Sequence, residues 1–132
     1  MSVQFKTRSS RVESVQVEIS PGELIDKITI LEIKEQRIRD KTKLANVLRE
    51  LESLRSVRDA IIGEGAELSR LATDLKAINN KLWDIEDEIR DRERDLDFNK
   101  RFITCARTVY KTNDRPAELK YQVNEFLGAS IT

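Results

Sequence analysis

The chain has 132 residues, enough for one hydrophobic core and too few for two ordinary domains. Its 24 basic and 24 acidic side chains cancel, which excludes a global field that would draw in nucleic acid or an anionic membrane. Charged residues reach 36% and aromatics only 5%, with four glycines and two prolines, a balance close to that of long helices and coiled coils.

Residues 1–11 are polar and weakly patterned and read as a flexible arm, leaving residues 12–132 as a single elongated helical domain. Val15, Val17 and Ile19 alternate with Gln16 and Glu18, which predicts a short extended segment with one apolar face. Such a strand needs a partner for its backbone: another copy, a late segment at 129–132, or the surface of the helices. Ser20, Pro21, Gly22 and Glu23 then spell a helix start, with serine at the cap, proline in the first turn and glutamate completing a capping box. Ile19 is placed to staple across that cap.

From 23 to 62 the chain runs without proline or glycine, a length of about 60 Å if it were one unbroken helix. Its apolar residues form two sets, Leu24, Ile28, Leu31 and Ile38, then Leu44, Val47, Leu51, Leu54 and Ile61. The step from Ile38 to Leu44 breaks the heptad and predicts local unwinding, a bend or a change of partner. Ile25, Ile30 and Ile33 broaden the first set, so a third element is expected to cover it.

Gly63, Glu64 and Gly65 predict a tight turn between antiparallel helices. Beyond it, Leu68, Leu71, Leu75, Ile78, Leu82, Ile85 and Ile89 recur at spacings of three and four, a narrow seam that requires a facing helix. Arg92 then occupies a seam position and needs water or an acidic partner if buried, so either the helix leaves its partner there or it bends at 97–99. Asn113 or Asp114 caps a last helix at about 115–127, whose stripe is Leu119, Val123, Phe126 and Leu127 and whose stop is Gly128. The expected fold is all-α: a long antiparallel, coiled-coil-like helical hairpin closed by the glycine turn. Additional C-terminal helices pack at its open end, and a short extended segment precedes it. That register sets Lys27 opposite Arg101 and Asp40 opposite Glu88.

The sequence contains no histidine, no P-loop, no Gly-x-Gly-x-x-Gly turn and no Gly-x-Ser-x-Gly elbow, which removes histidine-based metal binding, histidine bases and the usual phosphate cradles. Cys105 is the single cysteine, so it forms no internal disulfide and reads as a small buried apolar residue. No cofactor and no metal site are expected, and a non-enzymatic role is favoured. Without a run of ~20 apolar residues or a signal-peptide core, no membrane span is expected and the location is read as cytoplasmic. Asp26 and Lys27, in the first turns of the long helix, could form a ligand-binding polar pocket with Arg107 and Tyr110 under the last helix, with interior salt bridging as the plainer reading. Trp83, Glu86 and Asp87, with Asn113, Asp114 and Lys120, are candidates for a recognition surface. Solvated ion pairs are the plainer reading of the same charges.

Three strings, ELIDKITILEIK at 23–34, NNKLWDIEDEIR at 79–90 and FITCARTVYKTNDRPAELKYQVN at 102–124, together resemble a small domain-of-unknown-function family of bacteria and bacterial viruses. The resemblance covers about 17–131. It implies no catalytic residue or cofactor. Because some relatives stand near genes for surface polysaccharide synthesis or are joined to transferase-like domains, it implies an accessory role.

Two functions follow. The first is a helical interaction or scaffold module that self-associates, most simply as a homodimer, and engages a protein partner, with no nucleic acid expected. An isolated hairpin of this length buries too little apolar surface to offset its ordering entropy, which is why self-association is expected. The alternative is a small-molecule-binding protein or accessory enzyme subunit in surface polysaccharide metabolism, using the polar pocket at the thick end.

Overall fold

A computed structural model describes residues 12–95, 100–112 and 114–128; the side chains of Arg101 and Tyr110 lie outside that description, as do the arm at 1–11, the bend expected at 97–99 and residues 129–132. The protein is all-α. The described residues form α1 (Pro21–Arg37), α2 (Lys41–Ile61), α3 (Ala66–Arg94), α4 (Lys100–Thr112) and α5 (Asp114–Leu127). None of these helices is long and apolar enough to cross a membrane.

The start of α1 follows from its sequence. The Ser20 Oγ accepts the Glu23 N–H at 3.2 Å, and Pro21 takes the first helical position, where a missing amide costs nothing. The reciprocal half of the capping box is not made, because the Glu23 carboxylate instead receives Lys120 Nζ of α5 at 2.9 Å. Residues 12–19 are exposed, so they do not lie on the helices, and they form no strand with any described residue; the late segment expected as a partner, 129–132, lies outside the described residues.

The predicted 23–62 helix is two helices. Ile38 adopts an extended conformation (φ −79°, ψ 130°), and Asp40 opens α2 by accepting the Lys43 N–H on its carboxylate at 2.9 Å. A polar side chain at the cap gives the new helix a satisfied first turn, and the chain reverses there without glycine or proline. The break lies in the Ile38 to Leu44 step. α2 folds back on α1, with Val47 and Leu51 in one cluster with Leu24, Ile28 and Leu31, and with Arg55 paired to Glu32 at 2.8 Å.

Gly63 makes the second turn: at φ 75° it occupies the left-handed region glycine favours, and its N–H donates to the Arg58 carbonyl at 2.9 Å. The turn is as expected, but the helices it joins do not pack on each other. α2 contacts α1 alone, whereas α3 lies along α1, α4 and α5. The expected hairpin of a 23–62 helix against α3 is therefore replaced by an α1 and α2 hairpin with α3 on another side of α1. α3 runs in the same direction as α1, since Asp26 meets Asn79 while Arg37 meets Asp84. Lys27 opposite Arg101 and Asp40 opposite Glu88 belonged to the other register.

The α3 seam is buried where it meets α1 and α5. Leu68, Leu71 and Leu75 share a core with Ile25, Leu119 and Val123, and Leu82 is buried further along. The α5 stripe holds at Leu119 and Val123, whereas Phe126 is 53% exposed. Cys105 on α4 is buried, and Arg92 finds its acidic partner in Glu88, one turn back on the same helix, at 3.7 Å.

α1 and α5 approach so closely that a Cβ on Gly22 would lie 2.4 Å from the Lys120 carbonyl oxygen. That contact is with backbone, which cannot swing aside. Gly22→Ala is expected to lower stability by about 1–3 kcal/mol in denaturant unfolding through overpacking. Gly65→Ala, whose Cβ would meet nothing within 4 Å, should cost less than ~1 kcal/mol.

Candidate functional site

The most connected polar cluster lies where α1, α3 and α5 meet. The Asn79 amide donates to Asp26 Oδ1 at 2.8 Å and to Thr29 Oγ1 at 3.0 Å, while the Thr29 hydroxyl donates to the Asp26 carbonyl at 2.7 Å. From α5, Lys120 Nζ reaches Glu23 at 2.9 Å and lies 4.0 Å from Asp26 Oδ2. One turn on, Asn124 Oδ1 accepts the Gly22 N–H at 2.7 Å, and Asn124 Nδ2 is buried without a hydrogen-bond partner. Asp26, Thr29 and Asn124 are all buried. A carboxylate in this position is tolerated because an amide and an ammonium face it.

Each of the three strings that carry the family resemblance contributes to this junction: Glu23, Asp26 and Thr29 from the first, Asn79 from the second, Lys120 and Asn124 from the third. Asp26 and Lys120 are brought together. The other expected pocket members are not joined to them: Lys27 and Arg107 are exposed, no ion pair among the described residues links Arg107 to Asp26, and the side chain of Tyr110 lies outside the described residues. Thr29, Gly22 and Asn124 were missed in the sequence. Two signals were available: a glycine inside a first turn that already has a cap and a proline, and an asparagine one residue beyond Val123 in an apolar stripe.

A second polar cluster occupies the far end of α1. Arg37 donates to Asp84 Oδ1 at 2.6 Å and to Asn80 Oδ1 at 3.1 Å, and its guanidinium carbon lies 5.6 Å from the centroid of the Trp83 ring. The hydrogen bond that Arg37 donates to Asp84, aided by the charges of Asp84 and Asp87, raises the pKa of this guanidinium above its ordinary value. Trp83 is half-buried, Glu86 is exposed, and Asp87 pairs with Arg90 along its own helix. Asp114 is exposed at the start of α5, and Asn113 lies outside the described residues. The recognition-surface candidates are thus divided between α3 and α5, with Lys120 in the buried junction rather than on the surface patch.

A groove of about 770 Å³ opens beside α1 because α2 and α3 flank that helix without touching each other. Ser69, Thr73 and Lys76 of α3, Glu32 of α1, Arg58 of α2 and the turn at Gly63, Glu64 and Gly65 line it, together with the nearly buried Ile25, Ile28 and Leu68. Thr29 belongs both to this groove and to the polar junction. Among the described residues, no group of three or more acidic or cysteine side chains is placed to hold a metal ion.

Removing the amide at the junction strands a buried carboxylate, so Asn79→Ala is expected to cost about 1–3 kcal/mol in chemical denaturation. Asp84→Asn, which weakens a solvent-screened pair at the surface, should change the same measurement by only about 0–1 kcal/mol. Neither a curated protein nor a solved structure matches the chain. The family model described as "Family of unknown function (DUF6165)" matches residues 15–131, and the chain belongs to that family.

Proposed function

We propose that residues 12–132 form one helical unit that self-associates as a homodimer and serves as a cytoplasmic interaction or scaffold module rather than an enzyme. The observation that carries this reading is the one-sided seating of α2. It rests on α1 alone and buries only Val47 and Leu51, while Leu48, Val57 and Ile61 are exposed along it. Those exposed apolar side chains on a helix seated from one side only are the kind of surface that marks a protein contact. The compact all-α core beneath it gives such a surface a rigid base.

A small-molecule or accessory-subunit role in surface polysaccharide metabolism is supported by one feature, a groove whose volume falls within the ordinary range of ligand sites. Its polar side chains are Thr29, Ser69, Thr73, Lys76 and Arg58 with the carboxylates of Glu32 and Glu64, not the set Asp26, Lys27, Arg107 and Tyr110.

Light scattering across a wide range of protein concentration tests the first reading. The expected result is a dimer mass that falls only on strong dilution, and a monomer at every concentration would reject it. Thermal unfolding with a panel of nucleoside diphosphate sugars tests the second: a rise in Tm that saturates with ligand supports it, and an unchanged Tm with every member rejects that ligand class.

A further inference from the structure

α4 and α5 carry opposite charge on their outer faces. Lys100, Thr104, Arg107 and Lys111 recur at spacings of four, three and four, so they share one face of α4. All four are exposed, and α4 contains no acidic residue. Asp114, Glu118, Tyr121 and Glu125 repeat the same spacings along α5, and all four are exposed as well. Lys111 and Asp114 are three apart, so the row keeps a heptad rhythm from one helix into the next.

Both helices turn their other faces to α3. Cys105 is buried on α4, and Leu119 and Val123 of α5 share a core with Leu68, Leu71 and Leu75. The row therefore lies on the side of both helices away from α3. Lys100, Arg107, Lys111 and Asp114 make no ion pair with a described residue. Within α5, Glu118 pairs with Arg115 at 2.9 Å, and Glu125 raises the pKa of the Tyr121 phenol by hydrogen bonding. Each of these carboxylates has a second oxygen for a further donor.

A row that is basic in its first half and acidic in its second is complementary to a reversed copy of itself. Run antiparallel against a second chain, it sets Lys100 opposite Glu125, Thr104 opposite Tyr121, Arg107 opposite Glu118 and Lys111 opposite Asp114. Each half is about 17 Å long at the helical rise, so these pairs form in one register. Set parallel, the same rows would place like charges face to face. Ile103, 49% exposed beside Thr104, adds apolar contact with Tyr121 of the second copy.

Resting on the self-association reading, we propose that the dimer forms through this row: α4 of each copy lies antiparallel on α5 of the other, joined by the three charge pairs. The twofold axis passes near the joint of the two helices, so the contact closes after two copies. The outer face of α2 stays free for a different protein.

The test uses the full chain at low salt. One variant combines Lys100→Glu with Arg107→Glu, and the other combines Glu118→Lys with Glu125→Lys. All four positions are exposed, so thermal unfolding should show both proteins folded. In light scattering each alone should dimerise at least ~30-fold more weakly than the unsubstituted chain, since two of the three pairs become like charges. Mixed in equal amounts, the two variants should recover the dimer, because each row finds its opposite on the other chain. A chain carrying all four substitutions reverses those pairs and should dimerise again. Raising the salt to about 0.5 M should weaken the unsubstituted dimer. Variants that dimerise undiminished, a mixture that stays monomeric, or a dimer indifferent to salt each overturns the charged interface and leaves self-association standing. An unsubstituted chain that is monomeric at every concentration overturns both.

Discussion

The architecture depends on how apolar α1 is around its circumference. Leu24, Ile28 and Leu31 face α2, while Ile25 turns toward Leu68, Leu71, Leu119 and Val123 of α3 and α5. A helix with apolar residues on more than one stripe cannot serve as one side of a two-helix seam, because half of its apolar surface would stay in water. It becomes the centre instead. α2, α3 and α5 each bury a single stripe against it, and the Gly22 contact with α5 brings its first turn nearer than any side chain would allow.

This explains which parts of the fold were legible. Local signals held wherever one residue's chemistry decides the outcome: Ser20 and Pro21 start α1, Gly63 supplies the positive φ of the turn, and Gly128, also at positive φ, follows the last helix. The broad apolar face of α1 correctly demanded a third element. The break before α2 was harder, since Asp40 caps the new helix within a run that has good helical propensity throughout. The lost heptad between Ile38 and Leu44 marked the place but could not distinguish a bend from a reversal. Once the reversal was missed, α3 was set antiparallel to the wrong partner, and every long-range pairing derived from that register moved with it.

The polar junction was legible only residue by residue for the same reason. Asp26 and Lys120 stood out because charge is conspicuous amid Leu24, Ile25 and Ile28 or beside Leu119. Their meeting depends on α3 lying parallel to α1, which brings Asn79 rather than Arg107 to the carboxylate. The junction in turn restricts packing. Sliding α3 by one helical turn along α1 would preserve much of a leucine seam, since the spacings of three and four repeat, but it would take Asn79 away from both Asp26 and Thr29. An unpaired buried carboxylate costs far more than an imperfect leucine contact, so the hydrogen bonds select one register from several that the apolar pattern tolerates.

The same division of labour accounts for the open groove. α3 is held to α1 by a core and by two polar clusters, at Asp26 and at Arg37, whereas α2 has a narrow apolar stripe and, among the described residues, the one cross-helix pair between Arg55 and Glu32. Among the described residues, no ion pair or side-chain hydrogen bond links α2 to α3. The surface between them is therefore lined by residues whose other sides already belong to the core, Ile25, Ile28 and Leu68 among them. Because those three side chains are already almost fully buried, the open surface of the groove belongs mainly to its polar lining, Glu32, Arg58, Ser69, Thr73 and Lys76 among it, and the apolar stripe of α2 stays single.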